Sequence, residues 1–210
     1  MSGARQQILG RIRSALADRP QPPQAQWVYG APVSTGGQDV VERFIERVAD
    51  YRATVVRVDP EVVAAAVADA LAAVGATSVV GDALVRSRWG GAGPATWVVD
   101  DGLDATQLDA VDAVVTTATV AVANTGTIVL DHGPGQGRRE LSLIPDVHVC
   151  VVAAGQIVTD VPEAVSRLVD LGSHTRPLTW ISGPSATSDI ELDRVEGVHG
   201  PRTLYVVVAG

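Results

Sequence analysis

Apolar positions recur with two periods along this chain, and the alternation between them lays out its elements. Over residues 38–51, Val41, Phe44, Ile45 and Val48 fall on one side of a 3.6-residue repeat, which predicts an amphipathic helix. Residues 53–58 follow as a short β-rich run. At Asp59-Pro60-Glu61 a second helix is expected to start, with Asp as cap and Pro at the first position. It runs through Ala and Val to a stop at Gly75. Short strands are expected at 77–80 and 96–99, with a glycine-rich loop at 89–94 between them. A long β-rich run covers 111–122, turns at Asn124-Thr125-Gly126 and continues over 127–131. A strand at 147–153 precedes a helix over 160–172, where Asp160 and Glu163 are spaced as a capping box. Strands at 178–181 and 203–208 complete the series.

Strands interleaved with helices predict an α/β fold, a three-layer sandwich whose mostly parallel sheet is covered on both faces. The adjoining runs 111–122 and 127–131 predict an antiparallel excursion within it. Composition fits, because apolar residues make up 46% of the 210 and are mostly Ala and Val, which suit doubly buried strands. Residues 3–18 stand apart. Ile8, Ile12 and Leu16 form a stripe opposite arginines, and a proline-rich stretch at 19–24 reads as an extended linker. The expected organisation is therefore a helical arm and linker over 1–24 and a single domain over 25–210. The arm's stripe has to pack on its own domain, on a symmetry mate or on another protein.

Charge then narrows the chemistry. The sixteen basic residues are all arginine and the net charge is −8. Without lysine there is no Schiff base and no P-loop lysine. The acidic balance argues against a nucleic-acid partner. Any anion must be held by Arg, by backbone N–H groups or by helix N-termini. Cys150, the single cysteine, lies in an apolar run and reads as a small core residue. One thiol allows neither an internal disulfide nor an iron–sulfur cluster, which needs about four ligands. With neither a signal-peptide pattern nor a run of about 20 apolar residues, a cytoplasmic chain without a membrane span is expected.

Polar chemistry concentrates in three stretches. Thr116 leads to Asn124-Thr125-Gly126-Thr127, a turn whose amides and hydroxyls could face a ligand, or an ordinary hairpin. Asp131 to Glu140 places Gly133, Gly135 and Gly137 at alternate positions before Arg138 and Arg139. That is either a loop that wraps a phosphate or carboxylate, or a mobile surface loop with solvated arginines. The GxGxG spacing is not a dinucleotide fingerprint. The third stretch, Ser182-Gly183-Pro184-Ser185-Ala186-Thr187-Ser188-Asp189-Ile190-Glu191, leaves a strand and enters a helix capped by Ser188 and Glu191. Such a place, beyond the carboxyl end of a strand, is where open α/β sheets bind ligands. His199 follows in a Gly/Pro turn. The candidates are thus Thr116, Asn124, Thr125, Gly126, Thr127, Gly135, Gly137, Arg138, Arg139, Ser182, Gly183, Ser185, Thr187, Asp189, Glu191 and His199. No metal site is expected, since His132, His148, His174 and His199 share no i,i+4 pair. A meeting of His132, His199 and Asp131 or Asp189 in space stays open, and no GxSxG elbow supports a hydrolase.

These stretches, in this order, resemble the lactate utilisation domain (LUD) family. The resembling strings are Asn124 to Leu130, Gly133 to Arg139, Leu143 to His148, Ile181 to Glu191 and Gly197 to Pro201. The likeness is dense from about 111 to 208, and the arm fits by type. The family usually has an acidic residue where Asn124 stands. The resemblance implies a NagB/RpiA/CoA transferase-like sandwich, although no residue here matches the glutamate nucleophile of the coenzyme A transferases. It also implies two partner proteins that carry the iron–sulfur machinery and act together to oxidise L-lactate to pyruvate. The expected role is an accessory, non-redox subunit without a cofactor of its own, which binds a small carboxylate or phosphate, organises its partners, or forms a homo-oligomer. The alternatives are a stand-alone transferase or isomerase acting through Glu140, Asp189, Glu191 or His199, and a ligand-free scaffold.

Overall fold

The computed structural model describes residues 3–18, 31, 33–184 and 200–210. Two compact units are present, Met1–Ala31 and Pro32–Gly210. In the first, α1 spans Gly3–Ala15 and buries none of its side chains.

In the second unit the strands are β1 Thr54–Val58, β2 Ser78–Val80, β3 Thr96–Val98, β4 Ala113–Thr117, β5 Val120–Val122, β6 Thr127–Leu130, β7 Val147–Ala153, β8 Ile157–Val158, β9 Thr179–Ile181 and β10 Thr203–Ala209. The helices are α2 Val40–Asp50, α3 Val63–Ala73, α4 Ala83–Trp89, α5 Ala105–Asp109 and α6 Val161–Asp170. Six strands form a wholly parallel sheet in the order β1-β10-β7-β4-β2-β3. The other four form a smaller mixed sheet, β8-β5-β6-β9.

Strand periodicity sorts the core. Val79, Val115, Val149 and Val207 point to one face of the large sheet, under Val67 and Leu71 of α3 and Val85 of α4. Cys150, Val152, Leu204 and Val206 point to the other face, against Phe44 and Val48 of α2 and Ala121, Ile128 and Leu130 of the small sheet. The outer face of the small sheet packs Val120, Val122 and Val129 against Ala164 and Leu168 of α6. Each fully buried Val, Leu or Phe contributes ~1.5–3 kcal/mol, so small side chains on both faces suffice.

Several expectations need correction. The run 111–122 is two strands in two different sheets. At the junction the Ala118 amide donates to Val151 of the large sheet (3.2 Å), and the next amide, Thr119, donates to Val129 of the small one (2.9 Å). The antiparallel pairing of β5 with β6 therefore opens a second sheet. Asp59 caps nothing with its side chain; Pro60–Val62 is a 3₁₀ turn, and the α-helix starts at Val63. Gly75 does end that helix, at φ +70°, with the Ala76 amide on Leu71 and its own amide on Ala72. Glu163 reaches back to the Thr159 amide (2.7 Å) instead of that of Asp160, whose carboxylate takes the amides of Val161 and Val33 (2.8 Å each). Helices α4 and α5 occupy stretches to which the pattern assigned no element; their caps, Asp82 and Asp104, each accept a backbone amide.

Candidate functional site

Strand β3 lies outside β2, while β4 returns on the other side of β2, so the chain leaves the β2/β4 boundary in opposite directions. The carboxyl-end crevice at such a boundary is the usual ligand position in this architecture. Here the glycine loop fills it. The Gly135 amide donates to Asp82 just beyond β2 (2.6 Å), and its carbonyl accepts from Thr117 at the end of β4 (2.7 Å). Gly135 sits at φ +90°, and a Cβ there would run into the Thr117 hydroxyl. Gln136, 3% exposed, ties the loop down: its carbonyl oxygen accepts from the amides of Asp131 and His132 (2.7 and 2.9 Å), and its amide donates to Thr119 (2.7 Å). The loop is packed against the end of the sheet.

Arg138 is likewise committed. Its guanidinium makes a two-pronged pair with Asp100 (2.9 Å each) and also donates to the Leu103 carbonyl. The hydrogen bond from Arg138 is the chief reason that Asp100 titrates below the usual range. Asp131 is a second closed centre, 8% exposed. Burial pushes its pKa up, but the Ser173 and Thr119 hydroxyls, the Gly133 amide and Arg176 outweigh burial and leave it lowered. Its neighbour His132 has φ +56°, shares 2.9 Å with the Thr179 hydroxyl and has its pKa lowered by burial. Among the described residues no group of three or more His, Cys, Asp or Glu is placed to hold a metal.

The Thr-Gly-Thr turn and the third stretch do meet. Thr125, Thr127 and Ser182 form a chain of hydroxyls, 2.7 and 2.8 Å apart. Gly126, at φ +61°, lets the turn lie on α2: a Cβ there would come within 2.8 Å of the Arg47 backbone. Asn124 has a structural role, donating its side-chain amide to the Val33 carbonyl (2.7 Å). Thr116 is not at the turn. It is fully buried on β4, 2.7 Å from His148 Nε2 and 3.6 Å from Cys150 Sγ. Ser185, Thr187, Asp189, Glu191 and His199, and the predicted cap at Ser188, lie outside the described residues.

A cavity of about 590 Å³ opens beside Ser182. It lies between β9, which is the end strand of its sheet among the described residues, and the amino-terminal ends of the large sheet, since Asp146 and Arg202 directly precede β7 and β10. Ser182 and Gly183 stand just past the carboxyl end of β9, while the large sheet presents its amino-terminal ends here. Of the candidates, Arg139, Ser182 and Gly183 line it, joined by His148, Trp180 and Arg202. Arg139 is exposed, and no ion pair among the described residues engages it. Arg202 pairs with Asp146 at 3.3 Å, both about 60% exposed. His148 is held neutral, burial pushing its pKa down to about 4. Sequence reading missed His148, Trp180 and Arg202, which sit in or next to ordinary β-runs. The only hint there was a histidine and a tryptophan at strand positions otherwise given to Val.

The parallel six-stranded sheet with helices on both faces, backed by a small mixed sheet, defines an α/β sandwich protein. Within that class the chain belongs to the LUD domain family, whose pattern matches residues 41–209. It is 42% identical over 207 residues to Lactate utilization protein C of Deinococcus radiodurans, covering 99% of this chain and 96% of that one. It is 35% identical over 100 residues to Lactate utilization protein C of a Geobacillus species, covering 45% of this chain and 41% of the relative. A crystal structure of a DUF162 family protein from Deinococcus radiodurans is similar at a TM-score of 0.70 and 39% identity, covering 85% of this chain and 100% of that one.

Proposed function

We propose that this chain is the accessory, non-redox subunit of a system that oxidises L-lactate to pyruvate, binding a small anion and working beside iron–sulfur partner proteins. Its near-full-length likeness to a protein named for lactate utilisation supports the process. The division of labour rests on one observation about Cys150. The only thiol of the chain is 0% exposed, receives a hydrogen bond from Thr116, and is pushed by burial up to about 12. A thiol that stays protonated and inside the core ligates no cluster. The two electrons released when lactate becomes pyruvate then pass to clusters on the partners. Arg139 at the cavity rim supplies the charge for an anion.

Reconstitution tests this. The chain is co-expressed and purified with the products of its neighbouring genes, and lactate-dependent reduction of an artificial acceptor is followed with and without it. Turnover is expected only from the complete set. Turnover by this polypeptide alone, a bound flavin or cluster in it, or full turnover by the partners without it would overturn the assignment.

A further inference from the structure

We infer that the outer edge of β3 is a dimer seam, where a second copy of this chain pairs antiparallel and joins the two six-stranded sheets into one. The inference is independent of the lactate reading. β3 ends the large sheet, with only β2 beside it among the described residues. The Thr96 amide donates to the Thr77 carbonyl (2.8 Å), so alternation along the strand turns the backbone groups of Trp97 away from β2. Side-chain cover is missing on that side. Val79 and Val80 of β2 are 0% exposed, whereas their partners Trp97 and Val98 are only partly buried and Val99 is 55% exposed. Residues 185–199 lead from β9 to β10, which stands four strands from β3.

Exposed edges usually carry a lysine, an inward charge, a proline or a bulge that stops another strand from pairing. The run Ala95-Thr96-Trp97-Val98-Val99 carries none of these side chains and is rich in β-branched and aromatic residues. Charges of opposite sign stand beyond its two ends. α4 has Arg86 and Arg88 in its last turn, ahead of β3, and Asp101 follows β3. Arg88 and Asp101 are exposed, and no ion pair among the described residues engages either. A strand running antiparallel about a two-fold axis at Trp97 brings each Arg88 end beside the partner's acidic end, while a parallel strand would bring like charges together. In that register Trp97 exchanges two hydrogen bonds with its own counterpart, and Ala95 lies opposite Val99. The two indoles then meet on one face as an aromatic cross-strand pair. An edge complementary to itself in both charge and side chains selects a copy of this chain over a different protein.

The test follows the full chain by sedimentation velocity over a concentration series, with amide hydrogen exchange on the same samples. A seam this short falls at the small, transient end of interface sizes, so a dimer with a Kd of ~1–100 µM is expected. Exchange over 95–99 should slow as the dimer fills. Val99→Lys, an exposed change that sets a charge on the edge, should weaken the dimer by ~10-fold or more. Thr96→Lys, also exposed, should do the same, so the outcome does not rest on the folding of one variant. Asp101→Arg should weaken it several-fold, and Arg88→Asp/Asp101→Arg should restore it. Val165→Lys, on the exposed valine flank of α6, should leave it unchanged. A monomer at every concentration, a dimer indifferent to both lysine variants, or exchange over 95–99 that ignores concentration would each overturn the proposal. So would no recovery in the charge-swapped variant, or dissociation by Val165→Lys.

Discussion

The hydroxyl of Thr116 on β4 lies 2.7 Å from Nε2 of His148 on β7, and both side chains are at most 1% exposed. The register pairs Thr116 with Cys150 and Val114 with His148, so these three polar side chains share one face of the sheet. Removing one partner strands the other, because a buried polar group without a hydrogen bond costs about 1–3 kcal/mol. Thr116→Val, nearly the same shape, should therefore lower stability by that amount in urea unfolding. Thr116→Val/His148→Leu should recover part of the loss, since no polar group is then stranded. A Thr116→Val protein as stable as the parent would show that the contact contributes nothing.

The same histidine sets a pH window. Its ordinary pKa is about 6.5, and burial holds it at about 4 in the folded chain. Between those values the unfolded chain takes up a proton that the folded chain refuses. Stability is thus full above pH ~6.5 and falls as the pH drops toward 4, by up to about 1.4 kcal/mol per pH unit. Asp112 acts in a lower window. Held at about 2, chiefly by the Thr77 hydroxyl and then by the Ser78 and Thr77 amides, its contribution is present above pH ~4 and lost between 4 and 2. Urea midpoints at pH 7, 6 and 5 should fall steadily for the parent and less for Thr116→Val/His148→Leu. Parallel curves would remove His148 from the account.

Two glycines at positive φ separate strain from crowding. At Gly102, φ +76°, an added Cβ would meet nothing within 4 Å, whereas at Gly135, φ +90°, it would meet Thr117. Gly102→Ala should cost ~1 kcal/mol from backbone strain. Gly135→Ala adds overpacking and also disturbs the amide bond to Asp82, so a loss of ~2–4 kcal/mol is expected. Equal losses in thermal or urea unfolding would show that the loop moves freely and does not plug the crevice.

Pattern exposed most of the architecture: the apolar face of α2, the helix over 160–172, the strands that became β7 and β10, and the stop at Gly75 were all legible. What stayed hidden depended on contacts distant in sequence. Nothing in the run 111–122 marks the point where Ala118 and Thr119 turn to different sheets, since both sheets bury the same kind of residue. Short helices such as α5 span too few turns for a period to show. At the site, Thr127 and Ser182 were legible as polar turn residues, yet their 2.8 Å contact joins positions 55 apart. Gly135 and Arg138 looked like parts of an anion cradle because the same residue types also build a packed loop. Only Asp82 and Asp100, supplied from elsewhere in the chain, decide between those two roles.

Adjacent arginines should accordingly behave in opposite ways. The side chain of Arg138 is 35% exposed and that of Asp100 15%, and the two are joined by parallel hydrogen bonds. A charge-assisted, two-pronged contact with that much shielding lies above the ~0–1 kcal/mol of a surface pair. Arg138→Ala should lower stability by about 1.5–3 kcal/mol, and Asp100→Ala by a similar amount. Because each variant deletes the same contact, the double variant should lose less than the sum, with a coupling of about 1–2 kcal/mol. Arg139→Ala, an exposed change, should stay within ~0.5 kcal/mol of the parent. Urea unfolding of the four variants and the parent at 0.15 and 1 M salt measures all of this. Additive losses for Arg138 and Asp100 would mean that the guanidinium acts through some other contact, and the salt series then shows whether that contact is ionic.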